Sequence, residues 1–445
     1  MNHVDPLVKL FQQEEIIATQ LDKDKDQHYD AAMIQSILIF ALTYVLISGR
    51  RLNLIKIGRP AGVMLGAVLM VLAGVVRPEQ TYRLVNWDTI VLLLGMMIIT
   101  EHLAESGFFD KTAQWLNRRN HAPKALLAIL VFGAGILSAF LVNDIVCIFF
   151  TPLLVILLRA RKLPALPFLL ALASAANIGG VMTLTGNPQN MIIGNLSGLS
   201  YREYFLLMLP VALLCLAVNY LLLLLIYRRE LSTAAALPAP PPPVVTLERQ
   251  PRLRRSLLVT GLVIVGFFAF HNLPWTAFAG AALLMVMCNR DEANLLRRID
   301  WNLLLFFACL FVVTGALRVS GATALITDHA GRFLGNSPAA LWLFGLVNLV
   351  ASNIFGNVPY VLIIAESIQK MANPKLMWYC LAFSSTVAGN LTLLGSVANV
   401  IVAEKARDVH EMGFFDFLKF GLPTTLVTTA IGLGILSLYQ TIGWL

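Results

Sequence analysis

Two polar stretches interrupt apolar sequence in the first half of the chain, Ser138-Ala-Phe-Leu-Val-Asn-Asp144 and Thr183-Leu-Thr-Gly-Asn-Pro-Gln-Asn190. Both lie inside long apolar runs, where a membrane-spanning helix would be expected to have no helix-breaking residues. Backbone that leaves the helix at membrane depth is tolerated only where protein or a watery cavity satisfies its polar groups. The two stretches therefore predict two places where helices are interrupted inside a membrane.

Two similar stretches occur in the second half. Ser352-Asn-Ile-Phe-Gly-Asn357 corresponds to the first stretch, and Thr392-Leu-Leu-Gly-Ser-Val-Ala-Asn399 corresponds to the second. Interrupted apolar segments at matching places in two halves are the best sequence indication of a transporter's binding site. The pattern predicts a transporter with an internal repeat, whose site is assembled from all four stretches.

The composition is that of a polytopic membrane protein. Of the 445 residues, 58% are hydrophobic and 13% are charged, whereas a soluble domain has about 25% charged residues. The formal net charge of +8 is attributed to cytoplasmic loops that orient the helices, and nucleic-acid binding is not expected. The five cysteines have no paired spacing, so neither disulfides nor a zinc site is expected.

The first polar stretch lies in the middle of 35 nearly uncharged residues, 124–158. This length is too long for one span and too short for two complete spans with a loop. Two half-helices that meet at a polar tip, a re-entrant hairpin, are therefore predicted. The second stretch breaks a span at Gly186-Asn-Pro188, because proline lacks an N–H and disfavours helix in the residue before it.

Each half is predicted to contain five full spans, one of them broken, and one hairpin. In the first half the spans are predicted at 34–48, 59–76, 88–104, 165–194 and 204–227, and the hairpin at 124–158. In the second half the spans are predicted at 256–270, 273–289, 302–318, 376–403 and 415–440, and the hairpin at 338–369. The predicted fold class is an all-α polytopic membrane protein with two repeats.

The two halves also match outside the four stretches. Asn86-Trp-Asp is followed 214 residues later by Asp300-Trp-Asn, and the same offset aligns the two hairpins. A gap of five residues then aligns the two helix breaks. Because each half has an odd number of spans, the second half begins on the opposite side of the membrane, and the repeats are predicted to be inverted.

The predicted domains are a polar N-terminal segment at 1–33, a first transmembrane repeat at 34–227, a Pro- and Arg-rich linker at 228–255 and a second repeat at 256–445. Loops on the linker's side carry 21 Lys and Arg residues, against 10 on the other side. Cytoplasmic loops are enriched in these residues, so the linker is predicted to be cytoplasmic and both termini external. A multi-pass protein of the inner (plasma) membrane is expected, in contact with the lipid bilayer.

The stretches resemble the ion transporter superfamily, with its citrate-transporter-like domain, over about residues 35–440. Val142-Asn-Asp144 and Gly356-Asn-Val358 are similar to the Ser-Asn-Thr hairpin tips of divalent-anion/sodium symporters, although neither has that sequence. The break from Ala388 to Val400 is more similar to the arsenite permease and NhaD-type antiporter branch. The resemblance implies that tips and breaks hold a small ion substrate and a coupling sodium ion or proton near the midplane. It also implies an elevator-like domain movement and a homodimer.

The candidate substrate- and ion-binding residues lie at the tips and breaks. Asn supplies amide donors and acceptors, and Ser and Thr supply hydroxyls. Broken helices direct free N–H groups at an anion, while unwound carbonyls suit a cation. The alternative is that these residues only cap half-helices. The candidates are Ser138, Asn143, Asp144, Thr183, Gly186, Asn187, Asn190, Ser352, Asn357, Thr392, Gly395, Ser396 and Asn399.

Asp144 has the most specific chemistry of these candidates. A carboxylate in a membrane segment is energetically costly and usually functional. Asp144 could bind sodium or carry a proton, and the alternative is a tip exposed to water. Its counterpart Val358 is apolar. No Arg lies beside either break in the sequence, which fits a small or neutral substrate better than a large dianion.

The leading prediction is a secondary active transporter of a small inorganic or organic anion, coupled to sodium or protons, that works by alternating access. A sodium/proton antiporter that relies on Asp144 is one alternative. An arsenite-type efflux permease and an ion channel are the others. The sequence has no HExxH, GxSxG or Walker A motif, so an enzyme is not expected, and no cofactor beyond the coupling ion is expected.

Overall fold

The computed structural model describes residues 26–49, 58–118, 122–233, 250–288, 292–323 and 338–445. Every regular element in these ranges is a helix, as predicted for an all-α protein. Residues 1–25 of the predicted N-terminal segment and residues 234–249 of the predicted linker lie outside the described residues.

The helices of each half follow one plan. The first half contains α1 (Asp26–Gly49), α2 (Arg59–Leu72), α3 (Pro78–Leu84), α4 (Trp87–Glu105), α5 (Phe108–Arg118), α6 (Pro123–Leu141), α7 (Asn143–Arg161), α8 (Ala165–Gly180), α9 (Pro188–Ser197), α10 (Tyr201–Ile226) and α11 (Arg228–Thr233). The second half contains α12 (Gln250–Ala269), α13 (Leu273–Cys288), α14 (Glu292–Arg297), α15 (Trp301–Val319), α16 (Pro338–Phe355), α17 (Asn357–Gln369), α18 (Pro374–Val387), α19 (Val397–Lys405) and α20 (Phe414–Thr441). Two short 3-10 turns, Ala388–Asn390 and Leu393–Gly395, lie between α18 and α19.

Each predicted span corresponds to a helix or to a pair of helices. By length and composition, six helices of the described ranges can cross a membrane, and five others contain shorter apolar segments. The predicted break in 165–194 lies between α8 and α9, and the break in 376–403 lies between α18 and α19. The short polar helices α3, α11 and α14 were not predicted.

The outer surface of the helices is apolar and the interior contains polar groups. Leu38, Leu225 and Val286 are 63%, 70% and 78% exposed, whereas Asn190 and Asn399 are fully buried. A soluble protein distributes these residue types the other way round. The described part of the chain therefore presents the surface that lipid requires, as predicted for a multi-pass membrane protein.

The N-termini of α4 and α15 support the match between the two halves. Asn86 Oδ1 accepts from the N–H of Thr89 at 2.8 Å, and Asp300 Oδ1 accepts from the N–H of Leu303 at 3.1 Å. Such caps satisfy an N–H that has no partner within the helix. In both helices the indole of the next tryptophan donates to a carbonyl five residues earlier.

Equivalent helices also make reciprocal contacts. α2 packs against α15, and its counterpart α13 packs against α4. α6 packs against α8 as α16 packs against α18, and α10 and α20 pack against each other. These reciprocal contacts are those expected of two structural repeats. Inversion of the repeats across the membrane stays a prediction.

The first hairpin differs from its prediction in the length of its arms. α6 and α7 have 19 residues each and are joined by Val142 alone, so each arm is about 28 Å long and long enough to cross a membrane. Because only one residue forms the tip, almost all residues of the segment are helical, and the two arms are longer than the predicted half-helices. α7 runs away from the tip, and α8 runs back toward it for 16 residues, about 24 Å. The tip and the first break therefore lie at about the same depth.

Candidate functional site

The first hairpin tip is fastened to the first helix break. Val142 has a φ of +68°, a left-handed conformation at the point where the chain reverses. The N–H of Asn143 donates to the carbonyl of Gly186 at 2.9 Å. The Ser138 hydroxyl donates to a carbonyl of α8 at 2.5 Å, and the Thr183 hydroxyl donates to a carbonyl of α6. Tip and break are therefore one buried unit.

An asparagine closes the gap in each broken helix. Asn190 Nδ2 donates to the carbonyls of Gly180 and Thr183 at 3.0 and 3.2 Å. Asn399 Nδ2 donates to the carbonyls at the same two spacings, ten and seven residues earlier, at 2.6 and 3.1 Å. Carbonyls at a helix end lack partners within the helix, and the asparagines supply them. The shared geometry supports the alignment of the two breaks.

Asn187 and Ser396 cap the helices that follow the breaks. Asn187 Oδ1 accepts from the N–H of Asn190 at 2.8 Å, and Ser396 Oγ accepts from the N–H of Ala398 at 3.2 Å. This agrees with the capping alternative. Both side chains also contact the opposite repeat, and capping does not explain those contacts.

Asn177 joins the first repeat to the second break. It is buried in the last turn of α8. Ser396 Oγ donates to Asn177 Oδ1 at 3.0 Å. Asn177 Nδ2 donates to the side-chain oxygens of Asn390 and Asn399 at 2.8 and 3.0 Å.

Thr386 makes the reciprocal connection from the second repeat to the first break. Asn187 Nδ2 donates to Thr386 Oγ1 at 3.1 Å, and Thr386 Oγ1 donates to Asn190 Oδ1 at 3.4 Å. Asn177 and Thr386 each lie three residues before the glycine at the start of a break, Gly180 or Gly389. The two broken helices thus contact each other reciprocally.

The side-chain amides of Asn399, Asn177 and Asn143 form a hydrogen-bonded series, the amide chain. Backbone carbonyls fix its direction. Carbonyls only accept hydrogen bonds, so Asn399 must direct Nδ2 toward them and Oδ1 toward Asn177. Asn177 must then donate with Nδ2 and accept with Oδ1. Asn143 Nδ2 donates to that oxygen at 3.0 Å. Asn143 Oδ1 remains at the end of the chain, buried and with no partner among the described residues.

The second tip brings Asn357 to the same place. A Cβ on Gly389 would lie 3.4 Å from Asn177 Nδ2 and 3.6 Å from Asn357 Nδ2. Asn357 Oδ1 is buried and, in the described ranges, has no partner either, and the same is true of Ser352 Oγ. Both tips therefore present an unpaired amide oxygen beside the amide chain.

The surroundings of the second tip are more open than those of the first. Thr392 Oγ1 donates to Asn353 Oδ1 at 3.2 Å. Asn353 Nδ2 donates to the carbonyl of Ala388, the first residue of the first 3-10 turn, at 2.9 Å. Thr392 and Asn357 are half-buried. Their counterparts in the first repeat are buried.

The break glycines allow close backbone packing. A Cβ on Gly186 would lie 2.4 Å from the carbonyl oxygen of Gly180, and a Cβ on Gly395 would lie 2.9 Å from that of Gly389. Real side chains do not approach so closely, so any side chain here would displace the unwound segment. The distances support a packing role for these two candidates.

Asp144 adds charge beside the first tip only. It follows Asn143 in the first turn of α7 and is half-buried. The N-terminal end of a helix is partly positive and stabilises a carboxylate. Its counterpart Val358 is buried and apolar. The asymmetry predicted from the sequence is therefore present in the structure.

The sequence analysis did not select Asn177, Thr386 or Asn390. Asn177 and Thr386 lie in the last turns of apolar helices and do not interrupt them, and Asn390 lies in the short 3-10 turn that follows α18. The available signal was an amide or hydroxyl three residues before, or one residue after, a break glycine.

The sequence profile of the family described as "Citrate transporter" (CitMHS) matches residues 44–378, about three quarters of the chain. The chain belongs to the citrate transporter family. This confirms the resemblance to ion transporter superfamily permeases.

Relatives of this citrate transporter family member are transporters. The chain is 29% identical to the silicon efflux transporter LSI3 of Oryza sativa subsp. japonica, over 85% of this chain and 92% of the relative. It is 31% identical to the uncharacterized transporter Rv2685 of Mycobacterium tuberculosis, over 89% and 96%. The YdaH transporter of Alcanivorax borkumensis has a similar fold, with a TM-score of 0.59 and 16% identity over 94% of this chain and 98% of that one. The predictions of a multi-pass membrane transporter, and of a protein that is not an enzyme, are confirmed.

Proposed function

We propose that this protein is a secondary active transporter of a small inorganic or organic anion, coupled to sodium ions or protons, that works by alternating access. The observation that carries the proposal is the pair of buried, unpaired amide oxygens on Asn143 and Asn357. Such oxygens accept hydrogen bonds and bind cations. They suit the hydroxyl group of a partly protonated oxyanion, or a sodium ion bound beside an anion.

Apart from Asp144, the hydrogen-bonding groups at the tips and breaks are uncharged, which favours a weakly charged solute. Amides, hydroxyls and backbone groups make the hydrogen bonds described above at the tips and breaks. A large dianion is usually held by bidentate arginine contacts. One relative is named as a silicon efflux transporter, which supports a small inorganic solute.

The proposal is tested with purified protein in liposomes. Uptake of silicate, arsenite, phosphate and citrate is measured with a sodium gradient, a pH gradient or neither. We expect one solute to accumulate against its gradient, and Asn143→Ala and Asn357→Ala each to lower its uptake about tenfold or more, since each removes a hydrogen bond to the solute. Asn302→Ala, at an exposed position of α15, is the matched control. Flux that only follows the solute gradient would contradict the proposal and indicate a channel.

A sodium/proton antiporter is the second candidate, and Asp144 favours it. A half-buried carboxylate beside the first tip could exchange a proton for a sodium ion. In that case Asp144→Asn abolishes sodium-driven proton movement, which is followed with a pH dye in liposomes, and no anion is taken up.

We further propose that the tips and breaks form the binding site and that the protein is a homodimer. We also propose that it lies in the inner (plasma) membrane with the linker 228–255 cytoplasmic. The excess of basic residues in the linker and its neighbouring loops supports this orientation. A cysteine introduced within 234–249 should react with an impermeant maleimide only when that reagent reaches the cytoplasm. The mass of the protein in detergent, measured by light scattering, tests the dimer.

A further inference from the structure

The inner face of α20 carries a group of buried hydroxyls that the amide chain does not use. Thr424, Thr425, Thr428 and Thr429 share one face of the helix and are buried. Thr428 Oγ1 donates to the carbonyl of Thr424 at 2.6 Å. The hydroxyls of the other three have no partner in the part of the chain that the structure describes. A buried hydroxyl without a partner is destabilising, so three on one face call for a ligand.

Asn219 on α10 lies at the level of this group. It is fully buried, and neither Nδ2 nor Oδ1 has a partner among the described residues. α10 and α20 are antiparallel, because Cys215 Sγ contacts the Thr428 carbonyl at 3.7 Å while the Tyr439 hydroxyl donates to a carbonyl near the start of α10. One turn beyond Cys215, this register places Asn219 level with Thr424.

The second helix break supplies carbonyl oxygens at the same level. Gly421 lies one turn before Thr424 and Thr425. A Cβ on Gly421 would lie 2.4 Å from the carbonyl oxygen of Asn390 and 2.8 Å from that of Leu391. Only glycine allows α20 to approach this unwound backbone so closely. The hydroxyl face of α20 therefore continues directly into the carbonyls of the break.

Oxygen is the common feature of these groups. At the level of the break they comprise the hydroxyls of Thr424 and Thr425, one amide oxygen and two backbone carbonyls, and none of the five carries a charge. Hard cations bind oxygen ligands, and unwound carbonyls at helix breaks bind sodium ions in transporters. Carbonyl lone pairs repel anions, and the absence of a carboxylate from this set disfavours divalent cations.

We propose a sodium site between α10, α20 and the second break, formed by Asn219, Thr424, Thr425 and the carbonyls of Asn390 and Leu391. It is separate from the hairpin tips. Asn390 connects the two, because its carbonyl faces α20 while its side-chain oxygen accepts from Asn177 at 2.8 Å. A sodium ion here would hold the break in the conformation that directs the amide chain. Its part in coupling rests on the proposed function, but its existence does not.

Sodium binding is measured by thermal unfolding of the full chain in nanodiscs, with sodium chloride replacing choline chloride at constant ionic strength. We expect sodium to raise the Tm of the wild type in a saturable way, since a ligand of the folded state stabilises it. The double variant Thr424→Val/Thr425→Val should need about tenfold more sodium for the same shift. Asn219→Leu should show the same loss.

The valine substitutions keep the side-chain shape, and without a ligand the loss of an unpaired hydroxyl is neutral or stabilising. Thr260→Val is the control, because Thr260 is buried in α12 with its hydroxyl bonded to a carbonyl of its own helix at 2.7 Å. An absent sodium response in the wild type, or an equal response in the double variant, would overturn the proposal. A response lost in Asn357→Ala but kept in the double variant would place sodium at the tips and also overturn it. Anion uptake driven by a pH gradient would survive either result, so the proposed function is judged separately.

Discussion

The two hairpin tips have the same backbone turn in different surroundings. Val142 and Gly356 occupy equivalent positions, with φ values of +68° and +84°. Glycine adopts this conformation freely, whereas a β-branched residue does so rarely, with strain of about 1–3 kcal/mol. The strained residue lies at the buried first tip, and the unstrained residue lies at the more open second tip.

The hydroxyls beside the two tips differ in the same direction. Ser138 is bonded to a carbonyl of α8 at 2.5 Å, whereas its equivalent Ser352 has no partner among the described residues. The first tip is therefore fixed by its neighbours, and strain at Val142 is sustained by those contacts. Two similar helix arrangements therefore contain one closed tip and one more open tip. We expect solute to reach the site past the second tip in this conformation.

The largest effect is expected where both halves depend on one side chain. Asn177→Asp replaces the amide that donates to Asn390 and Asn399 with a group that only accepts, and places a charge against their oxygens. We expect a loss of about 3 kcal/mol in stability, measured as a lower unfolding temperature, together with loss of transport. Asn302→Asp serves as the exposed control. An unchanged unfolding temperature would show that the amide chain does not join the two halves.

The next largest effect on stability is expected when the residues of the two tips are exchanged. Gly356→Val should lower stability by about 1–3 kcal/mol, because valine is strained at this φ. Val142→Gly should change it by less than about 1 kcal/mol, since relief of strain offsets the lost apolar burial. Val146→Gly, at a buried position within α7, has no strain to relieve and should be clearly more damaging than Val142→Gly. Equal losses at Val142 and Val146 would argue against strain at the first tip.

Much of this arrangement was predictable, because polar residues inside apolar runs are unusual and recur at a constant offset. The tips at Asn143 and Asn357 and the breaks at Gly186 and Gly395 belong to this class. Asn177 could not be identified in the same way, since one amide in the last turn of a helix leaves the helix intact. The hydroxyl face of α20 gives no signal either, because threonine in a helix usually bonds to its own backbone.

The difference in access between the tips gives a smaller effect. Thr183 is fully buried and Thr392 is half-buried. In a background without native cysteines, Thr392→Cys should react with a small thiol reagent about tenfold faster than Thr183→Cys, because exposure controls thiol reactivity. Equal or reversed rates, followed by mass spectrometry, would mean that the second tip is not the more open one.

The most direct test of the central claim is a double-mutant cycle on the two tip amides. Once a transported solute is known, its binding is measured for the wild type, Asn143→Ala, Asn357→Ala and the double variant. If both oxygens contact one bound solute, the two losses should be non-additive, with a coupling of at least about 0.5 kcal/mol. Fully additive losses, or binding that survives both substitutions, would contradict a shared site between the tips.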